Sequence, residues 1–293
     1  MSPSLFLECL QNGEVLVSDG ATGTNLQARG LTPGAPAEIW VLEQPEQIVQ
    51  LHRDFITAGA NIILTCTFGG TTLRLEQANL ADRAEELNQR AVELARQAVA
   101  GADVLVGGSM GPCGQLLKPL GPLEEADMLA AYSQQARTLT QAGVDLLVIE
   151  TQFDLGEAKL AVQAARQVSS LPIVCSFSYD RGVRTMMGVR PTQMAQELSA
   201  LDVNVLGINC GRSLEENLKA LQELRSATEL PLWFKPNAGL PQIDSEGRPV
   251  YELTPEAMGE QVPLWLAAGA RVVGGCCGTS PEHLQCIAQH ARL

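Results

Sequence analysis

The chain alternates short apolar runs with segments of helical period from one end to the other. Each of eight runs rich in aliphatic or β-branched residues leads into a loop marked by glycine or proline, and a helical pattern follows. The runs cover 15–18, 62–65, 104–109, 146–150, 173–177, 205–209 and 232–235, and the eighth starts at Val272 and ends at Cys276 and Cys277. The patterns predict helices over about 45–58, 81–99, 123–141, 155–168 and 192–201, with further helix starts near Ser213, Thr254 and Ser280.

Eight strand-then-helix units in 293 residues predict an α/β protein that closes into a single (β/α)₈ TIM barrel. A doubly wound sheet is the alternative fold, but eight tandem units without a change in composition favour the barrel. No linker, low-complexity tract or block of like charge divides the chain. We therefore expect one domain over residues 1–293.

Charge and composition narrow the range of partners. A net charge of −13 without any basic run argues against nucleic-acid binding. The N-terminal segment lacks the basic residues and the long apolar stretch of a secretory signal, and no apolar run approaches the roughly 18 residues of a membrane span. These features predict a cytoplasmic protein with no membrane partner, in which the eight cysteines stay reduced.

Three cysteines lie at predicted strand ends, where the reacting groups of such barrels gather. Cys210 follows the sixth run, and the adjacent Cys276 and Cys277 end the eighth. A disulfide between neighbouring cysteines requires a strained ring, so metal binding is the better interpretation. Three thiolates leave one position free on a tetrahedral zinc ion, which suits a catalytic site better than a closed structural one.

Other candidate residues also have a plain structural interpretation. Asp19 and Glu150 end the first and fourth runs, where a carboxylate is as often a buried hydrogen-bond acceptor as a functional group. Cys66 ends the second run without a partner in the pattern, so we expect it in the core or in a pocket wall. The histidines form no ligand set, although His283 is a minor ligand candidate. The remaining cysteines are expected to pack in the core: Cys9, Cys113, Cys175 and Cys286.

Six segments resemble the homocysteine S-methyltransferase family in order and spacing, over nearly the whole chain. They are DGATGT at 19–24, LTCTFGGT at 64–71, GPCGQLLKPLG at 111–121, GINC at 207–210, PNAGLP at 236–241 and GGCCGT at 274–279. The GINC and GGCC pair is highly specific. PNAGLP and the GPxG–PLG segment look closer to the homocysteine-binding module of cobalamin-dependent methionine synthase, and betaine–homocysteine methyltransferase is related.

The resemblance implies a catalytic zinc ion on Cys210, Cys276 and Cys277, whose fourth site takes the homocysteine sulfur. It implies that the two ends of homocysteine that carry the amino and carboxylate groups are held by Asp19, Gly20, Ala21 and Glu150. It also places Thr67 in the pocket and Asn237 close to the metal. Cys66 departs from the asparagine usual at this point in the methionine synthase module.

The activity that the resemblance implies is zinc-dependent methyl transfer onto homocysteine, giving methionine. Methionine synthase carries separate folate- and cobalamin-binding domains, for which this chain is too short. The candidate donors are thus a corrinoid protein acting in trans, S-methylmethionine and betaine. A quaternary ammonium such as betaine would favour an aromatic pocket, for which the candidates are Trp40, Phe68 and Tyr179. The alternative is a non-catalytic barrel stabilised by zinc that serves as a docking subunit of a corrinoid methyl-transfer system.

Overall fold

Eight parallel strands form a nearly closed barrel in the computed structural model, which describes residues 3–243 and 249–292. In chain order the strands are β1 Leu16–Val17, β2 Ile62–Leu64, β3 Leu105–Met110, β4 Leu146–Gln152, β5 Ile173–Phe177, β6 Val205–Cys210, β7 Leu232–Pro236, β8 Pro241–Ile243, β9 Pro249–Tyr251 and β10 Ala270–Val273. The barrel order is β1-β10-β7-β6-β5-β4-β3-β2, and β8 pairs with β9 as a separate antiparallel hairpin.

The two ends of this strand order meet through backbone contacts between β1 and β2. Asn61 N donates to Val17 O at 2.7 Å, and Asp19 N donates to Ile62 O at 2.9 Å. The Asn61 side chain also accepts from Val17 N at 2.9 Å, and Ser18 forms an isolated parallel bridge with Ile62. The predicted (β/α)₈ barrel is therefore confirmed, because a doubly wound sheet would leave two unpaired edges.

Helices lie around the barrel, and all of them except the first follow a strand. They are α1 Pro3–Gln11, α2 Thr22–Ala28, α3 Trp40–Glu43, α4 Pro45–Thr57, α5 Thr72–Glu76, α6 Ala84–Val99, α7 Glu125–Ala142, α8 Leu155–Val168, α9 Pro191–Leu198, α10 Leu214–Ala227, α11 Pro255–Gly259, α12 Val262–Ala267 and α13 Pro281–Ala291, with 3₁₀ turns at Ala37–Ile39, Ala81–Arg83 and Ser199–Leu201. The helices predicted over 81–99 and 192–201 are each shortened by one of these turns. No helix within 3–243 and 249–292 is both long enough and apolar enough to cross a membrane.

Two of the predicted helix starts have an N-cap residue whose side chain accepts a hydrogen bond from the backbone of the first turn. Ser213 Oγ accepts from Glu216 N at 3.2 Å at the start of α10. Thr254 Oγ1 accepts from Ala257 N at 3.3 Å at the start of α11, where Pro255 occupies the first turn. Each contact satisfies a backbone N–H that has no partner within the helix, which is why these residue types mark the boundaries.

The barrel interior is filled by an apolar cluster that α1 closes at its N-terminal end. Alternate residues of a strand face the same side, so Leu146 and Val148 of β4 point inward, followed by Glu150. The cluster joins residues of α1 to inward residues of the strands: Phe6, Cys9, Leu10, Leu16, Ile62, Leu64, Leu105, Leu146, Val148, Val174, Val205, Trp233 and Val272. Inward polar side chains are consequently found towards the C-terminal mouth.

A second apolar layer lies between the strands and the surrounding helices. Cys113 and Cys175 pack in this layer, and Cys9 packs in the interior cluster, as predicted for all three. Cys286 of α13 is only half-buried, which corrects the prediction of core packing for that residue. Its Cβ would lie 3.0 Å from a Cβ added at Gly259, which places the residue beside the contact between α13 and α11.

His52 of α4 is buried with its Nε2 atom free of any hydrogen-bond partner. Burial disfavours the charged imidazolium and lowers the pKa of His52 to about 4. The unfolded chain binds a proton at this residue below its ordinary pKa of 6.5, whereas the folded chain does not until the pH approaches 4. Folding stability contributed by neutral His52 is therefore lost as the pH falls through this window.

We expect the free energy of unfolding to fall by about 3 kcal/mol between pH 6.5 and pH 4 through His52 alone. His52→Leu should remove that part of the pH dependence, as measured by urea unfolding across the window. His290→Leu, at a half-buried position of α13, is the control. An equal acid sensitivity in the parent and in His52→Leu would contradict the assignment.

Candidate functional site

Three cysteine side chains meet at the C-terminal mouth of the barrel. Cys210 ends β6, and Cys276 and Cys277 follow β10, with β7 between the two strands. The three Sγ atoms all lie within 4.8 Å of one another, and all three thiols are free. Pro236 at the end of β7 joins the two sides, because it pairs in register with Cys210 and its carbonyl accepts from Cys276 N at 2.9 Å.

Thr279 and two close-packed glycines hold the double-cysteine turn against the loop after β1. Thr279 Oγ1 donates to Cys276 O at 2.7 Å and accepts from Ala21 N at 3.1 Å. A Cβ atom on Gly275 would collide with the Thr279 side chain, and one on Gly20 would lie 2.9 Å from Thr279 Oγ1. Larger residues would separate the two loops, which explains glycine at both positions.

The three thiols are close enough to hydrogen-bond to one another. Hydrogen bonds from Cys276 and Cys277 hold the pKa of Cys210 well below its ordinary value. Hydrogen bonding to Cys210 raises the pKa of both Cys276 and Cys277. One thiolate therefore opposes ionisation of its two neighbours, so a shared cation is required for all three to ionise at neutral pH.

The donor set fits a soft divalent metal such as zinc. Zinc binds thiolates at about 2.3 Å in tetrahedral geometry, which places the sulfurs about 3.8 Å apart, inside the 4.8 Å within which the three Sγ atoms lie. Asn237 adds a polar group beside the cluster, because its Nδ2 donates to Gly211 O at 2.8 Å while its buried Oδ1 has no partner. The three sulfurs could hold the metal, and Asn237 Oδ1 supplies a spare acceptor next to them.

A buried ion pair lies beside the sulfurs. Lys235 Nζ donates to Asp19 Oδ1 at 2.6 Å, and both side chains are almost fully buried, at 3% and 1% exposure. Asp19 Oδ2 accepts from Leu64 N at 2.7 Å, so the carboxylate links β1, β2 and β7. Lys235 faces the same side of β7 as Trp233, whose ring centroid is 5.8 Å from Nζ. The pKa of Lys235 is raised, because the nearby Asp19 and Glu150 charges outweigh its burial.

Glu150 is the second buried carboxylate of the mouth. Its Oε1 accepts from Ser109 Oγ at 2.5 Å. Burial raises the pKa of Glu150 to about 7, although the positive charge of Lys235 acts in the opposite direction. This carboxyl group therefore changes charge near neutral pH, in contact with a cavity that reaches the cysteines.

The cavity has a volume of about 590 Å³. One group of lining residues is the sulfur end, with Cys210, Cys276, Cys277, Glu150 and Lys235. The other group lies around the loops after β1 and β2 and includes Gln27, Glu38, Phe68 and Arg74. The volume accommodates an amino acid at the sulfurs with space beside it for a second molecule.

The structure brings some of the predicted substrate residues to the cavity wall and places others behind it. Gly20, Ala21 and Glu150 line the cavity, and Asp19 reaches it through Lys235. Thr67 Oγ1 donates to Ser109 O at 2.7 Å and has an Oγ1···Oγ1 contact of 2.7 Å with Thr65, so the hydroxyl lies inside a buried network. Asn237 is buried beside Cys210 rather than in the wall.

Two further predicted positions are clear from their contacts. Cys66 is buried and lines the cavity, which agrees with the expectation of a core or pocket-wall residue. His283 lies outside the sulfur cluster, because its Nδ1 contacts Ser280 Oγ at 2.9 Å and its Nε2 contacts Leu253 O at 2.8 Å. Both ring nitrogens are thus engaged in holding the start of α13.

Lys235 and Asn209 were missed as site residues by the sequence analysis. Lys235 lies in the otherwise apolar segment Leu232–Pro236, two residues after the inward Trp233. Asn209 precedes Cys210 in β6 and is fully buried. A polar residue at an inward position near the end of an apolar strand is the signal that could have identified both.

Comparisons with known proteins agree with this geometry. A family model described as homocysteine S-methyltransferase matches residues 16–291. Methionine synthase of Mycobacterium tuberculosis is 32% identical over 94% of this chain, and the match covers 24% of that protein. Methionine synthase of Mycobacterium leprae gives the same identity and coverage. The chain thus spans about a quarter of the length of these curated relatives.

Solved structures of the homocysteine methyltransferase MmuM from Escherichia coli are similar over the whole barrel. The metallated form has a TM-score of 0.82 at 28% identity and covers 100% of both chains. The apo form has a TM-score of 0.74, at 96% coverage of this chain and 97% of the other. The family match spans the eight barrel strands and the three clustered cysteines, and it shows that this chain belongs to the homocysteine S-methyltransferase family.

Proposed function

We propose that this protein transfers a methyl group onto the sulfur of homocysteine to form methionine, with a zinc ion held by Cys210, Cys276 and Cys277. The observation that carries the proposal is the meeting of three free thiols within 4.8 Å of one another in the wall of a cavity. The homocysteine sulfur supplies the electron pair for the new bond to the methyl carbon. The bond between the methyl carbon and the donor breaks, and its electron pair stays with the donor.

The open side of the sulfur cluster favours catalysis over a purely structural role. Structural zinc sites are closed by four protein ligands, whereas catalytic sites keep a position for substrate. Among the described residues, three cysteines form the cluster, and each of them lines the cavity. A non-catalytic docking subunit would have no need for this access.

The charge of the cysteines suits methyl transfer onto sulfur. A free thiol with a pKa of about 8.5 is mostly protonated at neutral pH. When bound, zinc supplies a position at which the homocysteine thiol loses its proton. Because three cysteine thiolates already outweigh a divalent charge, little electron density is drawn from the substrate sulfur. Sites that acidify water use mostly neutral histidine ligands instead.

Buried charges beside the sulfurs are arranged to hold the two ends of an amino acid. We assign Glu150 to the ammonium group of homocysteine, since its carboxyl group, which is ionised above its pKa of about 7, faces the cavity. Lys235 faces the same space and offers a positive charge to the substrate carboxylate, while Asp19 orients it through the 2.6 Å contact. Gly20 and Ala21 shape the adjacent wall, and Thr67 and Asn237 support it from behind.

The cavity wall bears on the choice of donor. An aromatic cage for a quaternary ammonium uses several rings. Among the described lining residues, Phe68 is the one aromatic side chain. Tyr179 is fully buried, with its hydroxyl against Met194, and Trp40 packs against the outer apolar layer. Betaine is therefore the least supported donor, and a corrinoid protein and S-methylmethionine are the two that we retain.

The proposed function is tested by methionine formation with purified, zinc-loaded protein and homocysteine. Each donor is supplied separately: S-methylmethionine, betaine, or a methylated corrinoid protein. We expect product with S-methylmethionine or the corrinoid protein and none with betaine. Absence of product with all three, in protein shown to contain zinc, would reject catalysis and favour the docking subunit.

Cys276→Ala should lower zinc affinity more than about 100-fold, beyond the range typical of an outer-shell change. Methyl transfer should be lost with the metal while the barrel remains folded, because the cysteine lies at a strand end outside the apolar clusters. Zinc content, circular dichroism and activity are measured together. Cys286→Ala, at another half-buried cysteine, is the control and should retain all three. Activity of Cys276→Ala without zinc would refute the mechanism.

Homocysteine affinity should rise as the pH increases through about 7, because the pKa of Glu150 lies there and only its ionised form attracts the substrate ammonium. An acid with this pKa changes its ionised fraction about tenfold between pH 6 and pH 8. Thiol ionisation acts in the same direction, so the comparison is with Glu150→Gln, in which the Glu150 step should be absent. Glu157→Gln, at a buried carboxylate away from the cavity lining, is the control. An unchanged pH profile in Glu150→Gln would remove Glu150 from the site.

A further inference from the structure

Asn209 is a fully buried amide that lies between the two halves of the site. It immediately precedes Cys210 in β6 and faces the barrel interior. Its neighbours belong to β4, to β5 and to the turn after β10, so this one side chain of β6 contacts three other segments of the barrel mouth.

All four hydrogen-bonding positions of the Asn209 amide are occupied. Its Oδ1 accepts from Thr151 N at 2.8 Å and from Ser176 Oγ at 2.7 Å. Its Nδ2 donates to Thr151 Oγ1 at 2.6 Å and to Cys276 Sγ at 3.8 Å. An asparagine side chain has two donor and two acceptor positions, so none is left over.

The contacts also fix which end of the amide faces the sulfur. A backbone N–H donates and never accepts, so the atom opposite Thr151 N must be the oxygen. The nitrogen is therefore directed towards Cys276 Sγ. This orientation follows from the surrounding hydrogen bonds.

The same amide holds an unusual backbone conformation next to Glu150. Thr151 has φ of +60°, a region that β-branched residues rarely adopt. Asn209 contacts both the backbone N–H and the hydroxyl of Thr151, and so restrains the residue that follows Glu150 in β4. Glu150 faces the cavity, and Cys276 lies in the same wall.

We propose that Asn209 is a positioning residue that couples the homocysteine-binding carboxylate to the metal-binding sulfurs. One N–H···S contact orients and stabilises the Cys276 thiolate, and the paired contacts to Thr151 set the direction of Glu150. The inference rests on the proposed function, which assigns Glu150 to homocysteine and Cys276 to the metal. Hydrogen bonds to metal ligands from outside the ligand set commonly change metal affinity by about 10–100-fold.

Asn209→Ala tests the proposal, with zinc competition titrations and the sulfur-to-cobalt charge-transfer band of the cobalt-loaded protein as measurements. We expect metal affinity to fall about 10–100-fold and the band to shift, because Cys276 loses its donor. Ser176→Ala is the matched control, since it removes a contact to the same amide but leaves the N–H···S bond in place. Its metal affinity should stay within about threefold of the parent, below the range of a lost outer-shell bond.

Thr151→Val separates the contact of the Asn209 amide with Thr151 from its contact with Cys276. It removes the hydroxyl that accepts from Asn209 and retains the contact to Cys276, so the cobalt band should be unchanged while the KM for homocysteine rises. If the parent protein does not catalyse methyl transfer, the proposed function is rejected. The metal-affinity and cobalt-band measurements on Asn209→Ala would still test the role of Asn209. Metal affinity within about threefold of the parent and an unchanged band in Asn209→Ala would overturn the proposal, since an outer-shell bond is worth more.

Unmodified protein loaded with ¹¹³Cd provides a measurement that does not depend on the variant folding. The Asn209 side-chain amide protons should exchange slowly with solvent, and one of them should show scalar coupling to the metal through the Cys276 sulfur. Rapid exchange of these protons without coupling would overturn the proposal. Slow exchange with coupling would support it.

Discussion

The site depends on how two strand ends are brought together across a third. β6 and β10 both pair with β7, so their backbones are two strand spacings apart, or about 9.5 Å. The sulfurs nevertheless lie within 4.8 Å, because the chain turns inward at each end. Cys210 adopts φ of +60° at the end of β6, and the turn after β10 is held over Pro236 by the Cys276 backbone. Parallel pairing sets the distance that these two turns have to bridge.

Buried charge is the second feature on which the mouth depends. Lys235, Asp19 and Glu150 lie just above an apolar interior in which an unpaired charge would be costly. Each is retained through specific partners: the lysine through the aspartate, the aspartate also through Leu64 N, and the glutamate through Ser109. A mouth built in this way presents both signs of charge to the cavity. It also leaves Glu150 with a pKa near neutrality.

The sequence analysis predicted the strands well, and it identified the three cysteines that meet. Both features can be recognised from short segments of the sequence. Apolar runs bounded by glycine or proline mark parallel strands, and soft ligands at strand ends are recognisable by position alone. The helix α1 and the β8–β9 hairpin were not predicted, and α1 is buried only through its packing into the cluster inside the barrel. Lys235 and Asn209 were missed for a related reason: their partners Asp19 and Thr151 are 216 and 58 residues away along the chain.

Residue order by itself therefore determined the eightfold alternation, the family and the three cysteines that meet at the strand ends. Those properties follow from local periodicity and from the identity of side chains at strand ends. Only the tertiary structure decided that Thr67 and Asn237 lie behind the cavity wall, that Lys235 pairs with Asp19, and that the amide of Asn209 faces Cys276. The physical reason is that hydrogen-bond partners and desolvation arise from barrel closure, which brings together segments that no local pattern relates.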